Sequence, residues 1–223
     1  MSVATPPISE SIQKFLAHCH RREFSAKASI IRQGDPAGEL YYIISGSVTV
    51  LLEDDKGHEI VLAYLNPGDF FGEIGFFNAD ANRTALVRAR VESGVAPISY
   101  GKLRGLTDLY PDLIIAMTTQ IAHRLRNTNR KLGDLAFMDV YGRVARTLLD
   151  LTEQPDAMTH PDGMQVRVTR QELARLVGCS REMVGKVLKD MEEQKHINAS
   201  GKNIVVLGVR PKRSGDSPNG VVD

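Results

Sequence analysis

Ile114, Met117, Ile121, Leu125, Thr128, Leu132 and Leu135 recur at gaps of three and four. Only a helix brings residues at that spacing onto one face. The run occupies about 110–138, and a stripe kept up this long is a heptad-like seam that calls for a partner helix. Arg124, Arg126, Arg130 and Lys131 flank the stripe and keep it narrow. Ile114, Met117, Ile121, Leu125, Leu132 and Leu135 are therefore the expected dimerisation residues. Packing on the chain's own sheet is the alternative reading.

The segment before this helix has a different period. Residues 40–52 are rich in β-formers and are broken at Gly46. Asp54-Asp55-Lys56-Gly57 is a hairpin signal between that stretch and Ile60 to Tyr64. Gly34-Asp35-Pro36 and Asn66-Pro67-Gly68-Asp69 are further turns. Short strands with such frequent turns predict an antiparallel sandwich or jelly roll, preceded by a short helix over about Glu10 to His18. At 223 residues, 42% hydrophobic and 25% charged, the chain can bury the cores of two small domains. No apolar run is long enough for a membrane span, and Met1 to Glu10 lacks the pattern of a signal peptide. Cys19 and Cys179 are too few for a metal cluster or a disulfide framework. The expectation is a soluble, cytoplasmic protein without metal.

Beyond Asp139 the chain mixes helix and short strand. Val144 to Leu151 is helical and Gln154-Pro155 stops it. His160-Pro161-Asp162-Gly163 is a turn. Residues 211–223, rich in Pro, Gly, Ser and charge, read as a disordered tail.

Net charge is only +1, yet Thr169 to Lys189 holds five basic and two acidic residues. Thr169-Arg170-Gln171-Glu172 is a capping box. Leu173, Leu176 and Val177 form an apolar face, and Gly178-Cys179-Ser180 is a tight turn with Ser180 placed to cap a second helix. That helix, Arg181 to Glu193, turns Met183, Val184, Val187, Leu188 and Met191 inward. Two short helices around a glycine-bearing turn make a helix-turn-helix. Arg181, Glu182 and Lys186 face outward at the start of the second helix, where side chains reach base edges. Arginine matches guanine, and a carboxylate matches cytosine N4. Arg170, Gln171 and the N-terminus of the first helix suit phosphates, and the caps Thr169 and Ser180 complete the expected DNA-binding set. Asn198 to Asn203 reads as the polar turn of a β-wing, with Lys202 near a phosphate. Cys179 is expected to be a packing residue. An ordinary helical hairpin with a solvated face is the rival.

Gly68-Asp69-Phe70-Phe71-Gly72-Glu73-Ile74-Gly75 and Arg83-Thr84-Ala85 suggest a phosphate site. Glycines let backbone amides approach an anion, and arginine with a hydroxyl completes the cradle. On residues alone a plain sheet corner with a surface arginine fits as well.

Longer motifs carry a resemblance. Gly72 to Phe77 with Arg83 to Ala89, residues 135–140, residues 154–164 and Val177 to Gly185 resemble the cyclic-nucleotide members of the CRP/FNR family of transcription regulators. The likeness runs from about Phe15 to Arg210. It implies an α+β chain: an N-terminal double-stranded β-helix (jelly roll) that binds cyclic nucleotide, a long dimerisation helix, and a C-terminal winged helix-turn-helix. The implied domains are 1–138, including that helix, and 139–210, with 211–223 as the tail. It implies cyclic AMP as allosteric ligand. Arg83 and Thr84 would hold the phosphate, Gly72 and Glu73 the ribose, Thr128 the adenine edge, and Asn129 the nucleotide of the other subunit. It implies a homodimer on a pseudo-palindromic TGTGA-like site in double-stranded DNA, with a hinge at Phe137 and Asp139. The segment 156–163 would recruit RNA polymerase.

Thr84 stands where the family has serine, Asn129 where it has serine or threonine, and Lys186 where it has arginine, which loses a planar fork. His20 and Lys102 match a second polymerase surface, whereas Arg22 and Pro97 do not. The alternative is a regulator of the family's cyclic-di-GMP branch, or one that binds DNA without ligand. That branch loses the hydroxyl after the cassette arginine, and Thr84 keeps it. A cupin-type jelly-roll enzyme is the remote rival. It needs clustered histidine ligands, absent between Ile60 and Arg90.

Overall fold

The computed structural model describes residues 10–78 and 82–210. The tail at 211–223 lies outside the described residues. The chain divides into two compact units, Met1–Leu132 and Gly133–Asp223. The division falls within the last turns of the long helix.

In the first unit α1 (Glu10–Ala17) is followed by β1 (Arg22–Phe24), β2 (Ser29–Ile31), β3 (Glu39–Ser45), β4 (Val48–Glu53), β5 (Glu59–Leu65) and β6 (Phe70–Phe71). Then come α2 (Ile74–Phe77), β7 (Leu86–Ala89), β8 (Ser93–Ser99), α3 (Tyr100–Leu109) and α4 (Asp112–Phe137). The strands form two antiparallel sheets, β1-β8-β3-β6 and β2-β7-β4-β5. β3 shows why the unit has two cores. Its side chains alternate faces, and both faces are buried. Tyr41 and Ile43 join Ile31, Val48, Leu65, Phe71 and Val87, whereas Leu40 and Tyr42 join Phe15, Phe70, Leu103, Leu113 and Met117 beneath the helices.

The expected break at Gly46 is the turn from β3 to β4. Gly46 has φ +79°, and a Cβ there would collide with the Glu92 carbonyl and lie 2.7 Å from Ser93 Cα. Gly46→Ala therefore combines left-handed strain with overpacking, and a loss of at least ~2 kcal/mol in denaturant unfolding is expected. An unchanged midpoint would mean that the turn relaxes freely. At the next hairpin Asp54 Oδ1 accepts from the amides of Lys56 (2.9 Å) and His58 (2.8 Å), which fixes the turn read from sequence.

The long helix is continuous, but the seam needs correction at its start. Met117 is 1% exposed and packs with Leu113 in the helical core, and Ile114 lies against the same cluster. Ile114 and Met117 therefore attach α4 to its own domain. Ile121 is half-buried. The exposed apolar side chains are Ile115 (62%), Leu125 (59%), Leu132 (65%), Leu135 (44%) and Phe137 (90%). With exposed Thr118, Ala122 and Asn129 they give the series 115, 118, 122, 125, 129, 132, alternating three and four. Two faces share one helix here, and a single apolar spacing on the sequence merged them.

The second unit continues with α5 (Val140–Thr152), β9 (Met158–His160), β10 (Gly163–Arg167), α6 (Arg170–Val177), α7 (Arg181–Glu193), β11 (Ile197–Ser200) and β12 (Asn203–Leu207). Its antiparallel sheet has the order β11-β12-β10-β9. Val144, Leu148, Leu173, Val177, Val184, Leu188, Met191, Ile204 and Val206 are buried. Met183, expected inward, is 41% exposed. At 3.6 residues per turn it lies about 90° from the centre of the buried stripe. The wing is also tighter than expected. Ser200 pairs with Asn203, so Asn198 to Ser200 are strand and only Gly201 and Lys202 form the turn. Gly201 has φ +63°, as such a two-residue turn requires.

Candidate functional site

Strand β6 delivers the chain to Gly72, whose φ is +80°. A Cβ at Gly72 would lie 2.7 Å from Arg83 Nη1 and 3.1 Å from the Glu39 carbonyl, so the position requires glycine on two counts. Arg83 Nη1 donates to the Gly72 carbonyl (3.2 Å) and to Tyr100 Oη (3.1 Å), and Nη2 donates to the Glu39 carbonyl (2.9 Å). Tyr100 in turn donates to the Gly72 carbonyl at 2.6 Å. The rings of Tyr41 and Tyr100 lie 5.8 and 6.0 Å from the guanidinium carbon. Burial raises the Tyr100 phenol above its usual range, although Arg83 pulls the other way, so the phenol stays a neutral donor. Among the described residues no carboxylate pairs with Arg83. A guanidinium aimed by neutral acceptors, with its charge uncancelled, is an anion receptor. Exposed Thr84 follows it directly.

Glu73 is 7% exposed, and its Oε1 accepts from Arg124 Nη1 at 3.0 Å. Arg124 Nη2 also donates to the Phe70 carbonyl. Gln120 accepts from the Phe70 amide (2.8 Å) and donates to the Gly68 carbonyl (2.9 Å), while Lys131 donates to the Leu62 carbonyl (2.9 Å). Three polar side chains thus stitch α4 to β5, to β6 and to the turn between them. Residues four apart share a helix face, so Thr128 lies on the face that Arg124 turns toward Glu73. Asn129 lies one position round, in the exposed series with Leu125 and Leu132. On the sequence Arg124 is only a flanking charge, and nothing there marks Tyr100, Gln120 or Glu39. The i,i+4 relation of Arg124 to Thr128 was the one available signal.

In the second unit both helix starts are capped as expected. Thr169 Oγ1 accepts from Glu172 N (3.1 Å), and Ser180 Oγ accepts from Met183 N (3.2 Å). Gly178, with φ +71°, ends α6 in the left-handed conformation. The hydroxyls of Thr169 and Ser180 are therefore acceptors within the fold, and each keeps its proton to give to a phosphate. Arg170, Gln171, Arg181, Glu182 and Lys186 are exposed, as is Lys202 at the wing turn. Cys179 is half-buried, and burial raises its thiol pKa, which suppresses the reactive thiolate. Of the two residues expected at a hinge, Asp139 caps α5 by accepting from Gly142 N (2.8 Å), while Phe137 is open to solvent. Asp134 pairs with Arg146 at 2.6 Å. Residues 156–163 form β9 and its turn into β10, largely exposed. Of the residues compared with a second polymerase surface, His20 and Lys102 are exposed, Pro97 is buried, and Arg22 is bound by Glu39.

Residues 21–110 match the cyclic nucleotide-binding domain, and residues 142–210 match the Crp-like helix-turn-helix domain. The chain is 55% identical to the cAMP-activated global transcriptional regulator Vfr of Pseudomonas aeruginosa, over 94% of this chain and all of that one. It is 50% identical to the cAMP-activated global transcriptional regulator CRP of Salmonella typhimurium, again over 94% of this chain and all of the relative. Among solved structures, the c-di-GMP responsive global regulator CLP of Xanthomonas campestris is 46% identical, with a TM-score of 0.84 over 89% of this chain and 99% of that one. Fold and sites together define a regulator that joins a cyclic-nucleotide domain to a helix-turn-helix DNA reader. The chain belongs to the CRP/FNR family of transcriptional regulators. Its homologues are regulators and not enzymes, which removes the cupin reading. Among the described residues no helix is long and apolar enough to cross a membrane.

Proposed function

We propose that this chain is a cyclic-AMP-responsive regulator, acting in the cytoplasm as a homodimer on a pseudo-palindromic TGTGA-like DNA site. One observation carries the ligand assignment: the Arg83 guanidinium, held by three neutral acceptors and left with its charge uncancelled, beside Gly72 and buried Glu73. Arg83 and Thr84 take the cyclic phosphate, Glu73 with the Gly72 backbone takes the ribose, and Thr128 takes the base edge. Asn129 approaches the nucleotide of the second subunit. Leu125, Leu132 and Leu135 form the seam of the dimer, and Phe137 and Asp139 the hinge. Thr169, Arg170, Gln171, Ser180 and Lys202 hold phosphates, while Arg181, Glu182 and Lys186 read bases. Residues 156–163 are the surface offered to RNA polymerase.

The mechanism is a shift of population. Nucleotide acts only by binding the DNA-competent arrangement more tightly than the other. Glu73 and Arg124 give it a direct line to α4, because a ligand on Glu73 rearranges a bond that the helix itself makes. In this family the recognition helices then meet half-sites about one helical turn apart.

Likeness to the c-di-GMP responsive regulator favours a second reading, in which cyclic di-GMP is the effector. Retention of the Thr84 hydroxyl supports cyclic AMP. Calorimetric titration with cyclic AMP, cyclic GMP and cyclic di-GMP separates the two, followed by shift assays on a TGTGA palindrome. Cyclic AMP is expected to bind and to raise DNA affinity. Inhibition by cyclic di-GMP with no cyclic-AMP response would transfer the protein to the second reading. For the DNA site, Arg181→Ala should weaken specific binding by roughly 1–3 kcal/mol and relax preference at one base pair. Equal loss on every sequence would reduce Arg181 to a phosphate contact.

A further inference from the structure

Around Arg83 stands a second layer of charge that the family motif does not contain. Glu39 gives its backbone carbonyl to Arg83 Nη2 at 2.9 Å. Its carboxylate is therefore within the reach of one side chain of a carbonyl that Arg83 itself holds. Left bare, that carboxylate would oppose an incoming anion. It is not bare. Arg22 reaches from the edge strand β1 past β8 and grips it with both terminal nitrogens, each at 3.2 Å. Tyr41 donates its hydroxyl to the same carboxylate at 2.9 Å, and its ring lies 5.8 Å from the Arg83 guanidinium carbon. Burial pushes the Tyr41 phenol up to about 12, with Glu39 adding to the rise and Arg83 and Arg22 both opposing it. Two guanidinia thus act on one hydroxyl from opposite ends of a single network.

We infer that Arg22 and Glu39 form an outer charge pair that sets the electrostatic potential of the phosphate site, Arg22 masking the Glu39 carboxylate so that Arg83 meets the nucleotide at full strength. Neither residue touches the ligand. Both are positioning residues, and the inference rests on the assignment of Arg83 to the cyclic phosphate. The pair is partly exposed, with side-chain accessibilities of 51% for Arg22 and 33% for Glu39, so solvent screens it and its stability contribution is small. Its effect falls on an anionic ligand held by Arg83, to which Glu39 is joined through its own carbonyl.

The charges fix the signs of the test. Calorimetric titration with cyclic AMP at low ionic strength compares the parent, Arg22→Gln, Glu39→Gln and the double variant. Arg22→Gln exposes the carboxylate and should weaken binding roughly three- to tenfold. Glu39→Gln removes the carboxylate and frees Arg22, and should tighten binding by a similar factor. The double variant should return close to the parent. All differences should shrink as salt rises. A merely structural pair would give losses in both single variants, because either substitution breaks the same bond. Losses in both, or no change in either, overturn the inference while leaving the Arg83 assignment intact. If Arg83→Leu binds cyclic AMP as tightly as the parent, the assignment itself falls and the outer pair falls with it.

Discussion

Replacing Arg83 with leucine is expected to weaken cyclic-AMP binding by about 100- to 1000-fold in calorimetry. The side chain makes three hydrogen bonds to neutral partners, which aim it without neutralising it. A charge-assisted bond to a phosphate contributes roughly 1.5–3 kcal/mol, and a guanidinium offers two side by side. Near the lower end of that range, losing both costs about 3–4 kcal/mol, which at 1.4 kcal/mol per tenfold step gives about 100- to 1000-fold. The fold should tolerate the change, because the Gly72 carbonyl keeps its bond from Tyr100. Circular dichroism and an unchanged thermal midpoint would check that. Arg83→Lys should recover part of the loss, since it restores charge without the planar fork. Parental affinity in the leucine variant would place the nucleotide elsewhere.

The second large effect concerns the exposed face of α4. Leu125→Glu combined with Leu132→Glu should convert the dimer to a monomer in analytical ultracentrifugation. Both side chains are already open to solvent within one chain, at 59% and 65% exposure, so the domain should stay folded. In a seam of two parallel helices Ile115, Ala122 and Asn129 take a positions and Thr118, Leu125 and Leu132 take d positions, and a polar Asn at a fixes register. Four added carboxylates would meet along that seam. A monomer can hold only one half-site, so DNA affinity should fall by about 10²–10⁴ through lost bivalency. A variant that remains dimeric would show that another surface holds the subunits together. Met117→Glu makes the internal contrast. Met117 is buried in its own domain, and the substitution should unfold that domain before it affects association.

These two experiments divide the molecule along the line between what was legible in the sequence and what was not. The second unit is legible because its signals are local. Thr169 and Ser180 cap the helices they precede, Gly178 supplies the left-handed turn, and α7 begins at Arg181 as read. Such features depend on residues within one turn of each other. The hairpin at Asp54 belongs to the same kind, because its carboxylate bonds amides two and four residues away.

Tertiary structure decided what depends on distant partners. The stripe on α4 looked like one seam. Packing on Phe15, Leu40 and Phe70 claims Ile114 and Met117 for their own domain and leaves Leu125 and Leu132 outside. A helix has one period whether it faces a sheet or a second helix, so periodicity cannot tell these faces apart. Met183 failed inward for a related reason: it stands at the edge of a stripe whose centre is set by the other two helices. The cassette arginine was legible as a residue type beside glycines. Its aim was not, because Tyr100, Glu39 and Arg124 come from three other elements and meet Arg83 and Glu73 only when the sheets close. The two modules, the capped helix pair and the glycine-arginine cassette are legible along the chain alone. The tertiary structure decided which face of the long helix stays open and how the charges around Arg83 are arranged, since both are set by contacts between segments that the chain order keeps far apart.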